Sequence, residues 1–366
     1  MTRATTIRRV LVANRGEIAV RIVRACRAEG IEAVVAVSDA DHDSLAARLA
    51  TDVVHIGGPS PAQSYLRVEQ VIAGALLTGC DAVHPGYGFL SERPALAAAC
   101  AEHGLTFVGP PADTIRRGGD KVEARRIARD AGVPTGAGSD AVSGADAALT
   151  VADAVGYPVL LKAAAGGGGR GMVRVDSADE LMARFGVASS EAEAAFGDGR
   201  MYVERFVEHA RHVEVQLLGD HHGNLIHLGD RDCSTQRRFQ KLIEEAPAAS
   251  LSPDLHERLA ESALALGRAL DYRGAGTVEF LVDVDRGDFA FLEINTRVQV
   301  EHPVTEMVTG IDIVRAQLRI AGGEPLGIAQ DDVAVRGHAI ECRINAESVE
   351  QGFLPSPGTI TRWEPP

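Results

Sequence analysis

Residues 9–37 read RVLVANRGEIAVRIVRACRAEGIEAVVAV, and this stretch decides the fold of the first third of the chain. Arg9–Ala13 is a short apolar run of strand length. Glu17–Glu29 carries Ile18, Ile22, Val23 and Cys26 on one helical face. Gly30 stops that helix, and Ala33–Val37 is a second apolar strand. Strands at Ala82–Val83 and Thr106–Val108, after helices at about 64–78 and 94–103, continue the alternation. Such a pattern predicts an α/β fold on a parallel, doubly wound sheet. A dinucleotide-binding role is disfavoured, because the first turn, NRGEIA, lacks the G-x-G-x-x-G that lets a pyrophosphate reach a helix N-terminus.

Downstream, residues of about 133–156 are small and rich in alanine and glycine, which predicts a mobile connection, and a compact α+β segment follows to Phe206. Strands then dominate: His212–Leu218, Leu225–Asp230, Thr277–Val284 and Asp288–Ile294, with helices at about 254–270 and 311–321. A length of 366 residues predicts two to three domains. The net charge of −14 argues against nucleic acid as a partner. No apolar run has the length of a membrane span, and the run after the basic N-terminus is too short for a signal peptide core. Five widely spaced cysteines without a CxxC suit reduced thiols in a cytoplasmic protein.

Of 37 basic residues only three are lysine, Lys121, Lys162 and Lys241, and all three stand in motif-like surroundings. A compact ammonium and a planar guanidinium are not equivalent at a phosphate, so their retention points to a site for phosphate or another small anion. Gly166–Gly169, with Arg170 and Gly171, follow the strand that ends in Lys162. Glycines let backbone N–H groups converge on phosphate oxygens, and the absence of GK[ST] excludes a Walker loop. A phosphate-covering flap is the expectation, against a plain flexible linker.

The strongest constellation is Glu293-Ile-Asn-Thr-Arg-Val-Gln-Val-Glu301. Read with a period of two, it puts Glu293, Asn295, Arg297, Gln299 and Glu301 on one strand face, with Glu279 on a neighbouring strand. Glu279, Glu293 and Asn295 offer the hard oxygens that Mg²⁺ takes when it shares phosphates. Arginine and glutamine beyond them suit a planar anion, and a further glutamate could act as a base. The alternative is a solvated edge face. Arg231 to Lys241, polar and without periodicity, reads as a functional loop.

Together these residues resemble biotin carboxylase, a family of ATP-grasp ligases. The matching stretches are Val12–Ala19, His84–Glu92, Gly119–Lys121, Gly166–Met172, Arg211–Glu214, Gln236–Lys241, Glu293–Met307 and Gly337–Glu347. The resemblance implies a doubly wound pre-ATP-grasp domain over 1–115 and an α+β ATP-grasp domain over 116–335 with a mobile lid at about 134–206. The beginning of a C-terminal domain, incomplete, would occupy 336–366. It further implies that Lys121, Lys162 and the flap glycines Gly167, Gly168 and Gly169 contact ATP phosphates, with Glu204, His212 and Gln236 at the adenosine. Glu279, Glu293 and Asn295 would surround Mg²⁺ or Mn²⁺. Lys241, Arg297, Gln299 and the Val300 backbone would hold bicarbonate, Glu301 would deprotonate it, and Arg343 would stabilise the biotin enolate.

The implied activity is carboxylation of biotin on a carrier, the first half-reaction of an acetyl- or propionyl-CoA carboxylase. The implied partners are a biotin carboxyl carrier protein or domain and a carboxyltransferase subunit, with a homodimer weakened by the short C-terminal part. The alternative is a fragment that binds ATP but carboxylates biotin poorly or not at all. Where many relatives carry histidine this chain has Phe239, whose ring is expected to pack in place.

Overall fold

The computed structural model describes residues 7–136, 138, 141–165 and 171–364. Strands β1 (Arg9–Val12), β2 (Glu32–Ser38), β3 (Asp52–Gly57), β4 (Ala82–His84) and β5 (Thr106–Phe107) form one parallel sheet in the order β3-β2-β1-β4-β5. The helix Gly16–Ala28 buries Ile18, Ile22, Val23 and Cys26, the face that its spacing predicts. Leu11, Val34 and Val83 on the opposite side of the sheet pack with Val71 and Leu96 of the helices Val68–Leu77 and Pro94–Glu102. Burial on both faces is what a parallel sheet requires.

Strands β6 (Val159–Ala163), β7 (Met172–Val175) and β8 (Met201–Arg205) make a small antiparallel sheet, ordered β7-β6-β8. The mobile connection expected over about 133–156 is instead partly helical, with Ala145–Val155 a helix and Val142 bridged to Met201. Alanine is a strong helix former, and Ala148 and Ala152, one turn apart, bury against Val159 and Leu161. The expected flap, with Gly167, Gly168 and Gly169, lies outside the described residues.

The third unit is an antiparallel sheet of β9 (Ala210–Gly219), β10 (Leu225–Arg237), β11 (Gln240–Ala246), β12 (Gly274–Asp283), β13 (Asp288–Asn295) and β14 (Ala339–Cys342). Its order is β13-β12-β9-β10-β11-β14. One face packs on the helix Pro253–Ala269 through Val215, Leu217, Val278, Phe280, Leu259 and Leu266.

Three expectations fail here. Arg231–Lys241 is not a loop: β10 continues to Arg237 and turns at Arg238 (φ 52°) and Phe239 (φ 64°) into β11. Two of its buried side chains, Arg231 and Asp232, are polar and paired with Glu214 and Arg211 of β9, so the hydrophobic alternation is missing. Second, the alternating face of Glu293–Glu301 ends at Asn295. Residues 296–301 form a turn into the helix His302–Thr309, and Val298 and Gln299, consecutive in sequence, are both buried. Phe239 is 63% exposed at the hairpin tip, so its ring does not pack as expected. Beyond Gly337 the chain joins the sheet as β14, beside β11.

Candidate active site

Glu214, Glu279 and Glu293 stand side by side on β9, β12 and β13, in register across three adjacent strands. Directly opposed side chains lie about 5 Å apart, so three carboxylates in a row repel unless cations intervene. Lys241, from β11, intervenes: its Nζ donates to Glu214 Oε2 (2.6 Å), Glu301 Oε1 (2.7 Å) and Glu279 Oε1 (3.0 Å). Burial alone would lower the lysine's pKa, but Glu214 and Glu279 outweigh it and hold the ammonium charged well above the usual range. Burial likewise works against Glu214, and Lys241 and Arg231 bring its carboxyl down to about 2.

Arg231 of β10 is wholly buried and fully engaged. Nε donates to Glu214 (2.6 Å), Nη1 to Gln216 (2.8 Å) and Thr305 (2.9 Å), and Nη2 to Gln299 (2.9 Å) and Thr277 (3.2 Å). Gln299 in turn donates from Nε2 to Glu279 Oε1 at 2.9 Å. This expected bicarbonate ligand is therefore also a strut between Arg231 and the carboxylate row.

The turn at 296–301 places Glu301 in the centre, 1% exposed. Its Oε1 accepts from Lys241 and its Oε2 from Arg343 Nη2 at 2.9 Å, while Arg343 Nε donates to Glu244 at 2.5 Å. Three residues expected in catalysis, Lys241, Glu301 and Arg343, are thus joined directly. Arg297 Nε donates to Glu92 Oε2 (2.8 Å) and Nη2 to Asn295 Oδ1 (2.9 Å). Val300 sits in the turn immediately before Glu301.

Among the residues expected at the nucleotide, Lys162 of β6 donates to Glu204 of β8 at 2.5 Å, and Arg125 also binds Glu204. Burial, then the charges of Arg125 and Lys121, lower Lys162 to about 8. Lys121 opens the helix Lys121–Asp130, which Asp120 caps by accepting from Val122 N and Glu123 N, both at 3.0 Å. Its Nζ is 3.7 Å from Glu293. His212 Nδ1 accepts from Gln236 Nε2 (2.9 Å), and its Nε2 lies 2.7 Å from Glu279 Oε2. His212 and Gln236 therefore form one group, while Glu204 belongs to the separate Lys162–Arg125 cluster.

Glu279 and Glu293 face each other across β12 and β13, and Asn295 Nδ2 donates to Glu279 Oε1 at 2.8 Å. Crowding by protein, then the neighbouring charge of Glu279, raises Glu293, whose carboxylate tip still reaches solvent. Glu293, raised by crowding and by its neighbour's charge and set beside Glu279, offers hard oxygens of the kind Mg²⁺ takes. Reasoning from sequence gave no individual role to Arg231, Glu214, Glu244 or Glu92. The strings RHVE, RDCS and GFLSE around three of them were visible, but their long-range partners were not.

A family model described as "Biotin carboxylase, N-terminal domain" matches residues 6–115. One described as "Carbamoyl-phosphate synthase L chain, ATP binding domain" matches residues 120–329. The chain is 51% identical over 359 residues to a biotin carboxylase of Nostoc sp., covering 98% of this chain and 80% of that one. It is 48% identical over 361 residues to biotin carboxylase 1 of Bacillus subtilis, with the same coverage of each. A biotin carboxylase–β,γ-ATP complex from Campylobacter jejuni superposes with a TM-score of 0.92 at 48% identity, over 99% of this chain and 80% of that one. The biotin carboxylase domain dimer of Hydrogenobacter thermophilus 2-oxoglutarate carboxylase, with MgADP, ADP and bicarbonate, gives 0.91 at 45% identity, again over 99% of this chain and 80% of that one. Across nearly its whole length, in sequence and in fold, the chain belongs to the biotin carboxylase family of ATP-grasp ligases.

Proposed function

We propose that this chain carboxylates biotin with bicarbonate at the expense of ATP, and that the residues joined by Lys241 carry the reaction. The observation that supports this most is the three-carboxylate grip of Lys241, with Arg343 on the second oxygen of Glu301. That network joins the base, Glu301, one anion-binding cation, Lys241, and one metal-facing carboxylate, Glu279, through hydrogen bonds that meet at the Lys241 ammonium.

Glu301 takes the proton from bicarbonate, which attacks the γ-phosphate of ATP and displaces ADP. The resulting carboxyphosphate separates into CO₂ and phosphate, and the phosphate takes the biotin N1′ proton. Arg343 stabilises charge on the ureido oxygen as N1′ attacks CO₂. Lys241 and Arg297 hold bicarbonate, and Gln299 and the Val300 backbone complete its contacts. Lys121 and Lys162 bind phosphate, while Glu204, His212 and Gln236 orient the nucleoside. Mg²⁺ held by Glu279, Glu293 and Asn295 would neutralise charge on the transferring phosphoryl group.

We place the first domain at 1–115 and the ATP-grasp unit at 116–335, with its lid at about 134–206. We read residues 336–366 as the beginning of a further domain. Biotin comes on a carrier protein or domain, and the product goes to a carboxyltransferase, in the cytoplasm. Among the described residues no helix is long and apolar enough to cross a membrane. The test is Mg²⁺-dependent ADP release with bicarbonate and free biotin omitted in turn. Release that requires both supports the reading, and release indifferent to both refutes it.

A further inference from the structure

We infer that Glu92, carried by the parallel-sheet domain, is a positioning residue that aims Arg297 at bicarbonate. This rests on the reading of Arg297 as a bicarbonate ligand, and extends it by making the anion site depend on the neighbouring domain. Glu92 Oε2 accepts from Arg297 Nε at 2.8 Å and Oε1 accepts from the backbone N–H of Thr296 at 3.1 Å. One carboxylate thus fixes both the side chain and the backbone at the start of the 296–301 turn. A guanidinium has five N–H groups. Glu92, Asn295 Oδ1 and the Val298 carbonyl occupy one each on Nε, Nη2 and Nη1. The remaining two, one on each terminal nitrogen, have no partner among the described residues and are free to donate to a planar carboxylate-like anion.

The segment carrying Glu92 is built to hold it still. It leaves the C-terminal end of β4, and Asn14, buried at the end of β1, donates to Pro85 O and Tyr87 O, both at 2.7 Å. Gly86, Gly88 and Phe89 all have positive φ, and at Phe89 (42°) a side chain must tolerate it. The Phe89 ring stacks on Tyr65 with centroids 4.9 Å apart, and Ser91 is 1% exposed. Strained backbone held by packing is characteristic of functional positions. Gly118 leaves little room beside the turn: a Cβ there would stand 2.9 Å from Thr296 Cγ2.

The test is bicarbonate binding to the whole chain, read without turnover as the bicarbonate-dependent rise in Tm with MgADP present, alongside the KM values for bicarbonate and ATP. Glu92→Gln should weaken bicarbonate about tenfold and leave the ATP KM within about twofold, with Glu92→Asp intermediate. The double variant Glu92→Gln/Arg297→Lys should bind bicarbonate no worse than Arg297→Lys alone, because the shared contact is already lost. Additive losses, or equal losses for bicarbonate and ATP, would mean a general structural role and overturn the inference. An unchanged bicarbonate midpoint in Glu92→Gln, with a weakened one in Arg297→Lys, overturns it while sparing the reading of Arg297. No change in either variant removes both.

Discussion

Lys241 Nζ stands 2.7 Å from Glu301 Oε1, so the proposed base and a proposed bicarbonate cation are one buried ion pair. The ammonium also reaches Glu214 and Glu279 on separate strands, in three directions that a compact tetrahedral donor can serve at once. A planar fork cannot. Lys241→Arg should therefore lower bicarbonate-dependent ADP release by about a hundredfold or more despite the retained charge. Lys241→Met should also cost about 3–5 kcal/mol in urea unfolding, because it strands buried carboxylates. Near-normal turnover of the arginine variant would remove the three-point role.

Glu301→Gln keeps the shape of the side chain and much of its hydrogen bonding but cannot take a proton. ADP release dependent on bicarbonate should fall by about 10²- to 10⁴-fold while the Kd for ATP stays within about twofold. Equilibrium dialysis with ATP and a steady-state assay separate the two. A parallel loss of ATP binding would show that Glu301 organises the site without acting as its base.

Glu341 faces Glu244 in register across β11 and β14, and its Oε2 is buried with no hydrogen-bond partner among the described residues. Burial, then the charges of Glu244 and Glu301, push its carboxyl up to about 7. Between its ordinary 4.5 and about 7 the folded chain keeps a proton that the unfolded chain has released, so stability falls as pH rises through that window. Glu341→Gln imitates the protonated form. It should flatten this part of the profile and raise stability near pH 8 by about 1–2 kcal/mol. Urea unfolding at about pH 5 and 8 measures both slopes, and identical slopes would show that Glu341 does not titrate there.

Lys162 loses its proton as pH rises through about 8, lowered by burial and by Arg125 and Lys121. ATP affinity should therefore weaken roughly three- to tenfold between about pH 7 and 9, as a phosphate contact loses its charge. Lys162→Arg, charged throughout that range, should flatten the dependence even if its absolute affinity is poorer. A fluorescent ATP analogue titrated across pH provides the measurement, and equal slopes for both proteins would assign the titration elsewhere.

Gly118→Ala would bring a methyl group to 2.9 Å from Thr296 Cγ2 and 3.2 Å from Ile294 Cγ2. Overpacking of this kind costs about 1–3 kcal/mol. Thermal unfolding should register the loss, and the bicarbonate KM should rise more than the ATP KM, because the displaced segment leads into 296–301. Equal rises in the two would show that the methyl group perturbs the site as a whole and not this turn.

The β-α-β start was legible because its apolar residues follow the helical period and are bounded by glycine, signals carried entirely by neighbours. The β10–β11 hairpin was not. Arg231, Asp232 and Gln236 lie where a strand would show apolar alternation, and they are tolerated because Glu214, Arg211 and His212 satisfy them from β9. Glu293 and Asn295 were readable as a pair on one strand, but the pattern was carried past the end of that strand. Lys241 stood out as one of only three lysines and Glu301 as a possible base, Arg343 was named through family resemblance alone, and the structure brings the three into contact. The partnership of Glu92 with Arg297 spans 205 residues, and no local pattern announces a contact at that distance.

The scarcity of lysine has a practical corollary. Lys162, with its pKa lowered to about 8, presents a substantial neutral fraction near physiological pH, whereas Lys241 is locked as an ammonium among three carboxylates. An amine-selective acylating reagent therefore meets a chain with three side-chain targets, among which the lowered pKa of Lys162 favours attack and the ion pairs of Lys241 oppose it. Labelling at Lys162, and its protection by nucleotide, would turn the chain's own composition into a footprint of site occupancy that needs no engineered probe.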